Sequence, residues 1–218
     1  GYQTLPSLIR YVGDLLTEEN ISEYPRQHEI LTKCNVAWIL LRWRIKFNGE
    51  ISYPSKFILS TWPYSHKGFY AYRKFQKLYN DKIVADINAQ VILMDLKRRR
   101  PTRISEEIAD LYPGPGGDKS LFFKEIKIYD NYDSQKEFSV GFLDIDYYRH
   151  ANNSVYLRWA INSIDFDFLE KNRMEEIDIL YKKEVVLGDD VVVKTKILKN
   201  TVNQAIYNKR GDLLTKIE

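Results

Sequence analysis

The sequence predicts an α+β fold in which one plan occurs twice: a long helix wrapped by a curved antiparallel sheet. Three observations predict it. In each half a helix-like run is followed by several strand-like runs. Short strings recur between the halves on matching elements. A Pro-Gly run, Pro113 to Gly117, parts the two, and such a run continues neither helix nor ladder.

Residues 4–16 carry Leu5, Leu8, Ile9, Val12, Leu15 and Leu16 at helical spacing. Pro6 suits the first turn and Thr4 can cap it. Strands are expected at Val36–Phe47, Ser55–Trp62, Gly68–Tyr79 and Ile83–Leu96, as an antiparallel meander. Asn48-Gly49, Pro54 and Asn80-Asp81 supply the turns. A short helix is expected at Ser105–Tyr112, and a strand or connector over 121–129. The plan then restarts with a strand at Phe138–Asp144 and a long helix over 153–168. Strands at Ile177–Val186 and Asp190–Leu198 turn at Gly188-Asp189. Gln204–Asn208 and Leu213–Ile217 form a last hairpin.

Leu8-Ile9-Arg10-Tyr11 matches Tyr156-Leu157-Arg158-Trp159, and Leu41–Gly49 matches Leu180–Gly188. Helix matches helix and strand matches strand. A two-layer unit of this kind, occurring twice, is a double hot-dog. The expected division is an N-terminal half over 1–112, a linker over 113–120 and a C-terminal half over 121–218. The first half lacks the strand that should precede its helix, so the chain is expected to begin after an N-terminal segment.

Composition excludes several classes. The 218 residues are 44% hydrophobic, 29% charged and 14% aromatic, with a net charge of +3, too small by itself to argue for nucleic acid or membrane. Cys34 is the single cysteine, which rules out an internal disulfide framework and suits a reducing compartment; it is expected to be a buried free thiol. No apolar run reaches the roughly 18 residues needed to span a bilayer, and the chain opens without a signal-peptide pattern. A cytoplasmic protein without cofactor or metal is expected.

The polar groups concentrate between Asp144 and Trp159, where strand gives way to helix. His150 lies four residues after Asp146. Asn152 or Asn153 is a good N-cap, and free N–H groups at the helix start suit an oxygen that gains negative charge. Asp146 can fix the imidazole tautomer. A surface or capping histidine is the plainer reading. Glu184 shares a strand face with Lys182 and Val186 by alternation. It either faces solvent or faces the helix terminus, where half-burial would suit a general base.

The string from Asp144 to Trp159, with Tyr181-Lys182-Lys183-Glu184-Val185 and Gly188-Asp189, resembles the C-terminal half of acyl-acyl carrier protein (acyl-ACP) thioesterases. The first half agrees through Val36–Trp43, Thr61–Pro63, Ala71–Phe75 and Val91–Pro101. The resemblance runs from about Leu5 to Ile217 and implies hydrolysis of fatty acyl thioesters. It carries the family's Asp-x-Asn-x-His and following Glu onto Asp146, His150 and Glu184. The expected Asn is Tyr148, which can donate one hydrogen bond to the thioester oxygen or block the water's place. Asn152 is a substitute amide. Val185 stands where plant members often have Cys.

The resemblance further implies an acidic carrier-protein partner and hence a basic docking face. Lys97, Arg98, Arg99, Arg100 and Arg103 form one candidate face. Arg149, Arg158, Lys171, Arg173, Lys182 and Lys183 form another. Val36, Trp38 and Leu40 are implied as walls of the acyl tunnel. An acyl-CoA thioesterase, a non-catalytic acyl- or carrier-binding module, and a nucleic-acid surface stay open as other readings. Monomer and homodimer are equally allowed.

Overall fold

A computed structural model describes residues 8–13, 25–48 and 56–218. The described residues fall into two compact units, one of residues 11–123 and one of residues 124–218 together with 8–10.

In the first unit, helix α1 (8–13) belongs in part, and Leu8, Ile9 and Val12 are its buried stripe. The rest of the expected helix over 4–16 lies outside the described residues, as do Gly49 and Pro54. Helix α2 (Pro25–Cys34) was not foreseen; its mixed composition hides any clear stripe. Four strands follow: β1 (Val36–Phe47), β2 (Ile58–Lys67), β3 (Tyr70–Tyr79) and β4 (Lys82–Asp95). Their order in the sheet is β2-β3-β4-β1. The expected simple meander is therefore corrected at one place. β1 pairs with β4, not β2, because β4 is long enough to give it partners from Asp95 to Ala85. Asn80 and Asp81 both take positive φ in the β3–β4 turn, the conformation that a tight hairpin requires.

Strand β5 (Arg100–Pro101) and helix α3 (Glu106–Ala109) complete this unit, with Ser105 capping α3 through its side chain. Val36, Leu93 and Ile108 form a small core here, with Leu31, Trp38, Ile104 and Tyr112 packed on it. Cys34 is exposed at the end of α2, so the expected buried thiol is corrected. Pro113 to Gly117 does not behave as a free linker. The Gly116 N–H donates to Tyr64 O (2.8 Å), and Gly117 O accepts from the His66 N–H (3.1 Å), which lays the run along β2. A Cβ at Gly114 would sit 2.2 Å from Tyr64 O, so this close approach requires glycine.

In the second unit the order is β7-β10-β9-β8-β6. These strands are β6 (Ser134–Ser139), β7 (Glu176–Tyr181), β8 (Asp190–Leu198), β9 (Thr201–Asn208) and β10 (Leu213–Ile217). The chain of neighbours 8-9-10-7 repeats the 2-3-4-1 of the first unit, which is the structural content of the sequence repeat. Residues 121–129 form a connector, not a strand.

Three expected boundaries shift. β6 ends at Ser139, and Phe142–Asp144 form a 3-10 turn, because the Asp144 carboxylate accepts from the Gly141 N–H and closes the chain on itself. The expected long helix is two: α4 (Asn153–Asn162) and α5 (Phe166–Lys171). Ser163 is the C-cap of the first, its Oγ donating to Trp159 O, and Asp165 caps the second by accepting from the Asp167 and Phe168 N–H groups. β7 ends at Tyr181, five residues early, for a reason that matters to the site below.

Helix α4 buries Val155, Tyr156, Leu157, Trp159 and Ala160. Gln204 fastens it to the sheet by donating to Ala160 O and to Thr195 Oγ1, both at 2.9 Å. No described helix is long and apolar enough to cross a membrane.

Candidate active site

The site grows from a tight turn, Asp146 to His150. The Asp146 N–H donates to His150 O (2.8 Å) and the Arg149 N–H to Asp146 O (3.0 Å). Arg149 pays for closure with a positive φ of 65°. The Asp146 carboxylate accepts from the N–H groups of Tyr148 (2.9 Å) and His150 (3.3 Å). It therefore holds backbone. The expectation that Asp146 orients the imidazole is corrected: a short polar side chain two residues before an open N–H finds that donor first.

The carboxylate on the imidazole is that of Glu184, whose Oε2 lies 3.2 Å from His150 Nδ1. The structure brings these two together through two long-range backbone contacts. The Ala151 N–H donates to Val185 O (2.8 Å), and His150 forms an antiparallel bridge with Val186. Glu184 is not inside a ladder strand as expected. After Tyr181 the N–H groups of Lys182 and Lys183 both donate to Leu214 O, and the chain then leaves β10 for the His150 turn. Side-chain exposures of 39% for His150 and 60% for Glu184 mean that water and substrate reach both. Of the two expected orientations for Glu184, the structure shows the solvent-facing one; the half-burial expected of the helix-facing one is not met.

In a neutral imidazole with its proton on Nδ1, the nitrogen that faces Glu184, Nε2 carries the lone pair. Helix α4 starts directly after the turn. Asn152 is its N-cap, with Oδ1 accepting from the Ser154 N–H (2.9 Å) and Oγ (2.6 Å). The carbonyl oxygen of the Asn152 side chain is thus committed to the cap, the place its sequence position predicts. The Ser154 and Val155 N–H groups are also taken, by Asn152 Oδ1 and Asn152 O. At the first helical position the Asn153 N–H has no acceptor within the helix and lies at the positive end of the dipole.

Tyr148 does not fill this space. It is 76% exposed and meets Tyr147 edge-on, centroids 5.6 Å apart. The turn aims both rings outward.

Two tyrosines and an ion pair were missed as site residues, because in sequence they read as stripe residues or surface charge. Tyr156 O–H donates to Lys183 O (3.4 Å), and Tyr181 O–H donates to Asn153 O (2.9 Å). Burial raises both phenols above the ordinary tyrosine range, and for Tyr156 the charges of Glu184, Asp189 and Asp146 add to it. Both stay protonated donors at any physiological pH. Asp144, buried, pairs with Arg158 and so holds the loop before the turn against α4.

The basic candidates divide. Arg158 is committed to Asp144 and Lys183 to Asp212 (2.7 Å). Arg149 and Lys182 are exposed beside the dyad; Lys171 and Arg173 are exposed at the end of α5. Lys97, Arg98, Arg99 and Arg100 lie together on the exposed β4–β5 turn, where Arg98 reaches Asp95 and Arg103 lies over Phe69. Of the tunnel-wall candidates, Val36 and Trp38 are core, packed toward Ile108 and Tyr112, and Leu40 is half-buried. A surface cavity in the first unit is lined by Arg42, Gln90 and Ser120 to Phe123, and includes none of the three.

The model of the acyl-ACP thioesterase N-terminal domain matches residues 1–112, and that of the C-terminal domain matches residues 129–217. Over 175 residues the chain is 22% identical to an oleoyl-acyl carrier protein thioesterase, chloroplastic, of Coriandrum sativum, covering 74% of this chain and 47% of that protein. A similar protein of Arabidopsis thaliana is 20% identical, covering 83% and 52%. The chain thus spans about half the length of the curated relatives it matches.

Among solved structures, one assigned as an oleoyl thioesterase from Lactobacillus plantarum has a TM-score of 0.87 at 21% identity, covering 100% of this chain and 88% of that one. The 12:0-ACP thioesterase from Umbellularia californica has 0.85 at 13%, covering 99% and 88%. An acyl-ACP thioesterase from Bacteroides thetaiotaomicron has 0.84 at 18%, covering 100% and 89%. At these identities the likeness carries the fold, a double hot-dog of the α+β class.

Proposed function

Because the chain belongs to the acyl-ACP thioesterase family, matched in both of its halves, we propose that it hydrolyses fatty acyl thioesters of acyl carrier protein to free fatty acid and carrier. One observation carries the reading: Glu184 Oε2 lies 3.2 Å from His150 Nδ1 at the start of a helix, with both groups open to solvent. A carboxylate–imidazole pair beside helix N–H donors is what acyl transfer to water needs.

In this reading Glu184 takes a proton from water as the water oxygen attacks the thioester carbonyl. The negative charge passes to the carbonyl oxygen, where the Asn153 N–H at the start of α4 stabilises it. Collapse breaks the C–S bond, and the proton returns to the leaving sulfur. Asp146 acts on the site by shaping the turn. Direct attack by Glu184 on the carbonyl leads to the same products through a mixed anhydride that water cleaves. Val185 offers no thiol alternative.

The finer assignments follow the same reading. The partner is an acidic carrier protein, and Arg149 and Lys182 are the basic groups that flank the dyad. The second half, from 121 on, carries the chemistry. A cytoplasmic location fits the single exposed cysteine.

The test compares a fatty acyl carrier protein with the matching acyl-CoA, for wild type, Glu184→Ala and His150→Ala. Turnover of the carrier-linked thioester is expected, with kcat lower by about 10²–10⁴ in either variant. Activity that survives both changes removes the site assignment. Equal kcat/KM on acyl-CoA moves the substrate to that thioester.

Tyr148 favours a second reading, a non-catalytic acyl- or carrier-binding module, since it stands at the family's Asn position. Tyr148→Asn separates the two. Hydrolysis that appears only in this variant selects the binding module.

A further inference from the structure

Two buried phenols cross-link the elements that carry the dyad and the helix start. Tyr156, 2% exposed, rises from the first turns of α4, and its hydroxyl donates to Lys183 O (3.4 Å). This hydroxyl therefore reaches the peptide group that leads into Glu184. Tyr181 reaches the opposite way. From the end of β7 its hydroxyl donates to Asn153 O (2.9 Å), at the first position of α4. The two rings meet edge to face, centroids 5.5 Å apart, and Trp159 meets Tyr156 at 5.3 Å.

This bracing answers a structural need. The run 182–185 has left its ladder after the two N–H bonds to Leu214 O. Beyond Glu184 its backbone is held by the Ala151 N–H on Val185 O and by the His150–Val186 bridge, which leaves the step into Glu184 to side-chain support. An ion pair as exposed as His150–Glu184 cannot hold a segment in place by itself, because water screens it. Buried groups must do so, and hydrogen bonds to peptide groups next to a carboxylate fix its position better than packing alone, since they set direction as well as distance.

We propose that Tyr156 and Tyr181 are positioning residues that hold Glu184 on His150 and keep the first turn of α4 in register with it. The consequence for turnover rests on the hydrolytic reading above. The effect on the His150 ring does not.

The experiment uses the full chain with Tyr156→Phe and Tyr181→Phe, which keep the rings and their edge contacts. Each is expected to lower kcat about 3- to 10-fold with KM within about twofold, the loss of one hydrogen bond felt in the transition state. In a Glu184→Ala background, Tyr156→Phe is expected to cost nothing further; a merely structural role would cost the same in either background. The second readout needs no substrate. The chain has 3 histidines, so the ring nitrogens of His150 are resolved by ¹⁵N NMR from those of His28 and His66. Tyr156→Phe is expected to move the His150 Nδ1 resonance toward its position in Glu184→Ala and to leave the other two unmoved. An unmoved His150 resonance overturns the proposal, as does a full additional loss of kcat on Glu184→Ala. A protein that shows the resonance change without any thioester hydrolysis keeps the positioning role and loses the substrate reading.

Discussion

In the first unit Trp43 to Phe47 stay in register with β4, down to Phe47 opposite Ala85, whereas the corresponding run of the second unit, Lys182 to Val186, leaves its neighbour β10 once the Lys182 and Lys183 N–H groups have bonded Leu214 O. β4 runs for 14 residues and β10 for 5, so one strand has partners to its end and the other does not. Beyond that point Val185 O accepts from the Ala151 N–H and Val186 bridges to His150, so the segment turns to the His150 loop. Departure from the ladder also reverses which residues face inward. Ile45 is fully buried and its counterpart Glu184 is exposed; Lys46 is exposed and its counterpart Val185 is buried. One sequence pattern yields a core strand where the sheet continues and a reactive carboxylate where it stops.

Exchange of the paired residues tests this contrast most severely. Ile45→Glu puts a carboxylate into a dry ladder position and is expected to cost about 5 kcal/mol or to prevent folding, read by denaturant unfolding. The reverse change, Glu184→Ile, is expected to lower kcat about 10³-fold, a loss of roughly 4 kcal/mol in transition-state stabilisation. Its melting temperature should stay near wild type, because the position is exposed. A Glu184→Ile protein that unfolds readily would mean that the segment is structural like β1, and the contrast would fail.

Val185→Ala probes the inward face of the departing segment. The residue is 2% exposed, so about 2 kcal/mol of stability should be lost, with a fall in kcat as Glu184 loosens. The smallest effect belongs to Asp212, which fastens the same segment through Lys183. Its hydrogen bonds to Lys183 and then to Asn208 hold its carboxyl below the usual carboxylate range. A depressed folded-state value means a contribution that is present above the unfolded carboxylate range, near about pH 4, and lost as pH falls through the folded value. Asp212→Asn should therefore lower the melting temperature slightly at neutral pH, and the difference from wild type should close in acid.

Local chemistry explains which parts were legible. Asn152 as helix cap, Gly188 and Asn80-Asp81 as turns, and the strand that ends at Phe47 each follow from residues within a few positions of one another. Glu184 and His150 were also marked, by residue type and by resemblance. Asp165 shows the limit of periodicity: a helical stripe continues across it, but its side chain prefers to cap a new helix, and α4 ends at Asn162. The Pro-Gly run reads as a linker because it continues neither helix nor ladder; its glycines also permit the close approach to Tyr64 that the fold uses.

By itself the sequence determined the run of main strands in each half, the doubled plan, the capped helix after a polar turn and the identity of the groups with chemical potential. Only the tertiary structure decided which carboxylate meets the imidazole, and it chose Glu184 over the nearer Asp146. The reason is physical. Asp146 is close enough in sequence to bond the turn's own N–H groups through Oδ1, while Glu184 is delivered to the imidazole by the His150–Val186 bridge and the end of β10. Those depend on strand lengths and pairings far apart in the chain, which no local pattern of residues records.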